Sequence, residues 1–259
     1  MENTPWVRGC LYGPEPSPQL GETLWINPLP GNYKLCSFNC LYCRFGESDK
    51  IAADISPFLK DLPSIEKIIG GLKERMEFGV EFDTVVLSGN GEPTLRPDFA
   101  ELASKLNSFL RSAYPGKTFA LLSNGSGLVR EDVFEAVSVF DLPIFKFDAG
   151  KPSTFHRINR PSLDIVYEDI FEQLRKIGPR VNLQSVFVGG LRGNMNDGDV
   201  TMWTQAVADI KPKSVEIYSI KRSIPENAVE VVPFHELDDF AFNAEKKTGV
   251  PITAFGNWE

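Results

Sequence analysis

Short apolar runs alternate along the chain with longer segments in which apolar residues recur every three or four positions. The short runs are typical of buried strands, and the spaced segments are typical of amphipathic helices. Six strands are predicted: Thr23 to Leu29, Asp83 to Ser88, Phe119 to Ser123, Pro143 to Asp148, Asn182 to Val188 and Val215 to Ile220. The run PITAFG near the C-terminus is a candidate for a seventh.

Two helices are predicted with particular clarity. The first covers Ser64 to Phe78, and Pro63 before it suits a helix start. Its apolar positions are Ile65, Ile68, Ile69, Leu72 and Met76. The second has apolar positions at Phe99, Leu102, Leu106, Phe109 and Leu110. Strands that alternate with helices of this length pair in parallel through right-handed crossovers.

The pattern predicts an α/β fold, a full or partial (β/α)6 TIM-like barrel of parallel strands, and an open doubly wound sheet fits the periodicity as well. We expect one domain over residues 1–259, since barrels of this length are common. It comprises an N-terminal extension (1–21), the barrel (22–226) and a C-terminal segment (227–259). In either architecture ligands bind at the carboxyl ends of the strands.

Polar and glycine-rich residues follow successive predicted strands. In chain order they are a cysteine loop with Cys36, Cys40 and Cys43, then SGNGEPTL (88–95) and SNGS (123–126). The fourth predicted strand ends in KFDAG (146–150), and the fifth contains Gln184 and Ser185. Glycines there allow close approach of backbone to a ligand, and Glu92 can meet a cation. Each stretch alone is typical of an ordinary turn, and Lys146 with Asp148 of a simple ion pair. Their joint order after successive strands favours a site.

Composition excludes some functions. The 35 acidic residues outnumber the 27 basic ones, which argues against broad nonspecific binding of nucleic acid but leaves a local basic patch open. No secretory signal pattern and no run of about 18 apolar residues occurs, so we expect a soluble cytoplasmic protein with no membrane partner. His156 and His235 are predicted on surface or loop segments without a role, and Lys34 is predicted to be solvated.

The motif CSFNCLYC holds three of the chain's four cysteines, and the fourth is Cys10. A structural zinc site needs four ligands, and a redox C-x-x-C formed by Cys40 and Cys43 leaves Cys36 unexplained. An iron-sulfur cubane bound by three thiolates keeps one iron open, as catalytic metal sites do. Cys10 is predicted to be a small apolar core residue.

The C-x3-C-x2-C motif with Tyr42 before its last cysteine resembles the signature of radical S-adenosylmethionine (radical SAM) enzymes. The similarity extends to GPEPSPQLGETLWINPLPGNYKLCSFNCLYC, LSGNGEPTL, KFDAGKPSTFHRINRP and EIYSIKRSIPE, which look like a branch related to the tRNA wyosine-base synthases. The resemblance implies a barrel of the radical SAM type. It also implies one [4Fe–4S] cluster, and SAM cleaved to a 5′-deoxyadenosyl radical that abstracts hydrogen from a substrate.

The resemblance also implies roles for individual residues. Cys36, Cys40 and Cys43 would bind the cluster. The residues implied to contact SAM or substrate are Tyr42, Gly89, Asn90, Gly91, Glu92, Ser123, Asn124, Lys146, Asp148 and Gln184. The segment GNGEP matches a GGEP-like motif and would lie against the methionine ammonium group. Ser123 and Asn124 would contact the ribose or carboxylate, and Tyr42 would flank adenine mainly through its backbone.

One departure from the family pattern is informative. The wyosine synthases carry a second cluster that needs about three more cysteines, and this chain has only Cys10 left. The wyosine reaction on tRNA is therefore an alternative that the cysteine count disfavours. A non-catalytic iron-sulfur or zinc-binding redox protein is the alternative of another class. The expected partners are a one-electron donor such as flavodoxin or ferredoxin, and a substrate that is a small molecule, a peptide or an RNA base.

Overall fold

The structure is a computed structural model that describes residues 9–224 and 227–256. The predicted boundaries at residues 1, 226 and 259 lie outside the described residues. The chain divides into two compact units. Unit 1 contains the chain up to Ser37 together with Ser48–Pro143, and unit 2 contains Phe38–Glu47 together with the chain from Ile144 onward. That the whole chain is one domain stays a prediction.

Unit 1 contains six strands and three α-helices among its described residues. They are β1 (Leu11–Ser17), β2 (Gly21–Ile26), β3 (Leu35–Cys36), β4 (Lys50–Ile51), α1 (Ile65–Glu77), β5 (Thr84–Leu87), α2 (Phe99–Ala113), β6 (Thr118–Ser123) and α3 (Glu131–Ala136). β1 is antiparallel to β2, whereas β2, β5 and β6 pair in parallel in that order. β3 and β4 form a separate two-stranded parallel ladder.

Unit 2 repeats the alternation. Its elements are β7 (Leu142–Lys146, which starts at the end of unit 1), α4 (Pro152–Ile158), α5 (Tyr167–Ile177), β8 (Asn182–Val186), α6 (Asp197–Ile210), β9 (Ser214–Tyr218), α7 (Phe234–Thr248) and β10 (Ile252–Ala254). The strands β7, β8, β9 and β10 are parallel and lie in chain order. Within each unit the parallel strands follow chain order, as in barrels, without the reversal of a doubly wound sheet.

The predicted apolar faces form the core. All four residues of β5 are buried, as is typical of a strand with a parallel partner on each side, here β2 and β6. Helix α1 begins after Ser64, whose side chain accepts a hydrogen bond from the N–H of Lys67, and it buries Ile65, Ile68 and Leu72. Met76, predicted for that face, is 50% exposed in the last turn of α1. Each buried Leu or Ile side chain stabilises the fold by about 1.5–3 kcal/mol.

The six predicted strands and the candidate seventh are confirmed as β2, β5, β6, β7, β8, β9 and β10. Strand β1 is absent from the prediction, which treated residues 1–21 as an extension. Its alternation is interrupted by a register shift between Tyr12 and Glu15, and a bulged edge strand gives a weak periodic signal. Among the described residues no helix has both the length and the apolar character needed to span a bilayer.

Candidate cofactor site

In unit 1 the loop after β5 lies directly against the strand that leads into the cysteine motif. The N–H of Leu35 donates to the carbonyl of Asn90 at 3.0 Å, and the N–H of Glu92 donates to the carbonyl of Leu35 at 3.1 Å. Gly91 between them has φ of +141°, and a Cβ there would overlap the Leu35 carbonyl. Glycine is therefore required to seat β3, which ends at Cys36.

Asn90 uses its polar groups within the protein. Its side-chain Nδ2 donates to the carbonyl of Pro30 at 2.9 Å, and its backbone N–H donates to Oδ1 of Asn27 at 3.0 Å. Gly89 beside it has φ of +126°, and a Cβ there would overlap the Asn27 side chain. These contacts tie the exit of β2 to the exit of β5. Contact of Gly89 and Asn90 with SAM stays a prediction.

Glu92 is a buried carboxylate, 1% exposed, at the centre of the strand-end loops of unit 1. Its Oε1 accepts hydrogen bonds from the N–H and hydroxyl of Thr94 at 3.0 and 2.6 Å and from the Ser123 hydroxyl at 2.7 Å. Its Oε2 accepts from the N–H of Asn124 at 2.6 Å. Burial raises the pKa of Glu92 above its usual value, and these hydrogen bonds oppose that shift. A carboxylate oxygen accepts two or more hydrogen bonds, so Oε2 has capacity for a further donor.

The loop after β6 connects Glu92 to the cysteine motif. Asn124 donates from Nδ2 to the hydroxyl of Ser37 at 2.9 Å, and the same nitrogen lies 3.8 Å from the Sγ of Cys36. The hydroxyls of Ser37 and Ser126 are 2.7 Å apart. Ser123 and Asn124 are thus direct neighbours of Glu92. Their contact with the ribose or carboxylate of SAM stays a prediction.

None of the three motif cysteines forms a disulfide. Cys36 is 8% exposed and lies in unit 1, whereas Cys40 and Cys43 are partly exposed and lie in unit 2. The N–H of Cys43 donates to the carbonyl of Cys40 at 3.2 Å, which closes a turn. Among the described residues no group of three His, Cys, Asp or Glu side chains is gathered as a metal site. The donor chemistry nevertheless fits an iron-sulfur cluster, because thiolates are its ligands.

In unit 2 Asp148 collects donors from several elements. Its Oδ1 accepts from the N–H of Val186 at 2.8 Å and lies 3.8 Å from the ammonium of Lys146. Its Oδ2 accepts from Nδ2 of Asn159 at 2.7 Å and from the hydroxyl of Tyr42. Burial, followed by the charge of Asp148, raises the pKa of Tyr42 well above its usual value. Asp148 thus orients the side chain of Tyr42, which is a residue of the cysteine motif.

Lys146, the last residue of β7, begins a polar chain across β7, β8 and β9. Its ammonium donates to the hydroxyl of Tyr218 at 2.9 Å, and that hydroxyl donates to Oε1 of Gln184 at 3.2 Å. Nε2 of Gln184 donates to Glu216 at 3.1 Å. Burial alone would lower the pKa of Lys146, but Tyr218 and Asp148 outweigh it and raise that pKa. Burial raises the pKa of Glu216.

Four other predictions concern residues outside these networks. Lys34 is 2% exposed, so its predicted solvation is wrong. Its backbone N–H donates to Oδ2 of Asp49 at 2.9 Å, and its carbonyl accepts from the N–H of Lys50 at 3.1 Å. His156 and His235 are exposed, as predicted, but they lie on α4 and α7 and not in loops. Cys10 is half-buried, and burial raises the pKa of its thiol.

Sequence reasoning missed four residues that take part in these networks: Ser37, Asn159, Tyr218 and Glu216. Asn159 lies within the family-like segment KFDAGKPSTFHRINRP, and Tyr218 lies within EIYSIKRSIPE, so each had a local signal. Neither residue follows a predicted strand end as the glycine-rich loops do. Their roles become visible through contacts between residues that are distant in the sequence.

The chain has relatives of known sequence. A UPF0026 protein of Synechocystis sp. is 34% identical over 162 residues, which are 62% of this chain and 56% of that protein. The chain spans between 32% and 56% of the length of five curated relatives that it matches.

Solved structures share the fold. A radical SAM methyltransferase from Sphaerobacter thermophilus superposes with a TM-score of 0.61 at 13% identity, covering 93% of this chain and 67% of that one. A structure of TYW1 with a lysine-pyruvate adduct bound gives 0.55 at 16% identity and covers 86% and 73%. These likenesses show the fold alone, and they confirm the predicted α/β fold of the radical SAM type.

A family model described as the Radical SAM superfamily matches residues 33–201. This match includes the three cysteines, the loop of Glu92 and the segment that contains Asp148 and Asn159. It covers well over half of the chain and agrees with the motif that the sequence displays. The chain therefore belongs to the radical SAM superfamily.

Proposed function

We propose that the protein is an enzyme that binds one [4Fe–4S] cluster and SAM and removes a hydrogen atom from a substrate. The observation that carries the proposal is the set of three cysteines outside any disulfide, Cys36, Cys40 and Cys43, within eight residues of the chain. Three thiolates leave one iron of a cubane open for SAM. A structural zinc site would need a fourth protein ligand.

When bound, the cluster and SAM supply the one-electron chemistry of the superfamily, in which a 5′-deoxyadenosyl radical takes hydrogen from the substrate. The protein's own contribution is binding, orientation and exclusion of water. Burial of Cys36 and of Glu92 supports a role of the protein in excluding water, because both side chains are removed from bulk solvent.

Glu92 is proposed to hold the methionine ammonium of SAM. Three donors already occupy Oε1, and the N–H of Asn124 leaves Oε2 able to accept another hydrogen bond. A buried carboxylate paired with an ammonium is much better satisfied than one paired with neutral donors alone. Ser123 and Asn124 then act by orienting this carboxylate, and Asn124 also by its contacts beside Cys36.

The chain of Lys146, Tyr218, Gln184 and Glu216 is proposed to face the substrate or the nucleoside of SAM. It offers a cation, a hydroxyl, an amide and a carboxylate on three parallel strands, with Lys146 and Tyr218 at the carboxyl ends of β7 and β9. Ligands bind at the carboxyl ends of such strands. Both carboxylate oxygens of Asp148 accept hydrogen bonds from the protein, so we propose that it positions Tyr42 and Asn159.

The reaction needs an electron and a substrate. We propose a one-electron donor such as flavodoxin or ferredoxin in the cytoplasm. The substrate is a small molecule, a peptide or an RNA base, and the residues described above do not select among these three classes.

The test is an anaerobic assay. The protein is reconstituted with iron and sulfide, mixed with SAM and dithionite, and analysed for 5′-deoxyadenosine. The wild type should form this product, and a variant with Cys36, Cys40 and Cys43 all replaced by Ala should not. A cluster-loaded wild type that leaves SAM intact would support the non-catalytic redox protein instead. Another nucleoside product would show that a different bond of the sulfonium is cleaved.

A further inference from the structure

Asn159 follows the last residue of α4 and is 3% exposed. Its Nδ2 lies 2.7 Å from Oδ2 of Asp148 and 3.5 Å from Sγ of Cys40. An amide nitrogen carries two hydrogens, so one can reach each acceptor. A distance of 3.5 Å is suitable for a hydrogen bond to sulfur, whose radius exceeds that of oxygen.

The orientation of this amide is determined chemically. An ionised carboxylate accepts hydrogen bonds and donates none, so the nitrogen of Asn159, not its oxygen, faces Asp148. The other oxygen of Asp148 is fixed by the N–H of Val186 at 2.8 Å. Since one hydrogen of the Asn159 nitrogen is donated to Asp148, the second is available to Sγ of Cys40, 3.5 Å away.

The backbone around Asn159 also fixes its distance from the cysteine motif. The N–H of Asn39 donates to the carbonyl of Asn159 at 3.0 Å, and the N–H of Leu41 donates to the carbonyl of Ile158 at 2.9 Å. These two bonds flank Cys40 in the sequence. The end of α4 therefore holds the loop on both sides of this cysteine.

We propose that Asn159 is a positioning residue that orients Cys40 as a cluster ligand and raises the reduction potential of the cluster. This inference rests on the proposed function. An N–H donor withdraws electron density from a coordinating sulfur and stabilises the reduced cluster, which carries one more negative charge. Its loss makes the cluster harder to reduce.

The experiment is an anaerobic redox titration of the reconstituted protein without SAM, followed by electron paramagnetic resonance. Asn159→Leu keeps the approximate shape and removes the donor. We expect the ratio of reduced to oxidised cluster at a fixed potential to fall about tenfold, which corresponds to a shift of about 59 mV to lower potential. Asn243→Leu, on the exposed face of α7, should leave the potential unchanged.

Two further variants separate the causes. Tyr42→Phe removes the other donor to Oδ2 of Asp148 but keeps the contact with sulfur, so its shift should be much smaller. Asn159→Ser supplies the measurement if Asn159→Leu does not fold. An unchanged reduction potential in a cluster-loaded Asn159 variant overturns the inference. Loss of the cluster from folded Asn159→Leu and folded Asn159→Ser overturns it too. Absence of a cluster from the wild type instead overturns the proposed function.

Discussion

Glu92 is the buried carboxylate that we propose to bind the methionine ammonium group of SAM. Its Oε1 is occupied by Thr94 and Ser123, and its Oε2 faces the N–H of Asn124. These donors orient the carboxylate without neutralising it. Burial raises the pKa of Glu92 because it disfavours the charged carboxylate. A positively charged partner would stabilise that charge.

We expect Glu92→Gln to weaken SAM binding by roughly one to two orders of magnitude, since a charge-assisted hydrogen bond contributes about 1.5–3 kcal/mol. Gln keeps the shape of Glu and one acceptor oxygen, so from the sequence alone it would be a milder replacement than Ala. In the structure its NH2 group would oppose either the N–H of Asn124 or the donors from Thr94 and Ser123. Calorimetric titration of SAM into cluster-loaded protein measures the loss.

The matched control is Glu101→Gln on the exposed face of α2, which should bind SAM like the wild type. In the wild type, affinity should fall as the pH is lowered toward the raised pKa of Glu92, since protonation removes the negative charge. Unchanged affinity in Glu92→Gln would show that the side chain only organises the loop.

Two helices of unit 2 are joined by one carboxylate. Asp199 lies in the first turn of α6 and is 4% exposed. It accepts hydrogen bonds from Thr154 at 2.6 Å and Lys151 at 2.9 Å, at the start of α4, and it pairs with Arg157 of the same helix. The contacts place a negative charge at a helix N-terminus, which is favourable. They hold α4, whose far end carries Asn159.

The pKa of Asp199 is lowered from 3.8 to about 2, mainly by these hydrogen bonds against the effect of burial. A carboxyl group with a depressed pKa in the folded state stabilises the protein above its ordinary pKa. That contribution is lost as the pH falls from about 4 to about 2. We expect Asp199→Asn to be less stable at pH 7 and to lose less stability on acidification than the wild type.

Thermal unfolding at pH 7, 4 and 3 measures this difference. The control is Asp197→Asn, an exposed acid in the same first turn of α6, which should retain the wild-type pH dependence. An equal acid-induced loss in Asp199→Asn and wild type would contradict the assignment of the pKa shift to Asp199.

At the scale of the whole molecule, the cysteine count limits the cofactor content. Four cysteines are present, three of them in one motif, and Cys10 is half-buried with a raised thiol pKa. A raised pKa keeps a thiol protonated and a poor metal ligand. One cluster per chain is therefore the expected load.

Anaerobically reconstituted protein should contain about four irons and four sulfides per chain. Cys10→Ala should keep this load and its SAM cleavage, whereas Cys40→Ala should lose both. Iron and sulfide analysis with the 5′-deoxyadenosine assay tests this. About eight irons, or an equal loss in both variants, would mean that Cys10 is a ligand.

The sequence by itself determined the alternation of strands and helices, the three-cysteine motif and the glycine-rich strand ends. Apolar periodicity reports local burial directly, so β5 and α2 could be located to within a few residues. A metal-binding motif within eight residues is likewise a local property. The edge strand β1 escaped because a register shift disturbs its alternation.

Only the tertiary structure determines which side chains contact the residues of the cysteine motif. Cys40 and Asn159 are 119 positions apart, and Tyr42 and Asp148 are 106 apart. Such contacts depend on how strands and helices pack, and no local pattern encodes them. Burial of Lys34 was hidden for the same reason, since its backbone bonds with Asp49 and Lys50 form only when β3 and β4 pair. The sequence thus contains the motif of the proposed cluster ligands, and packing determines which hydrogen-bond donors lie beside them.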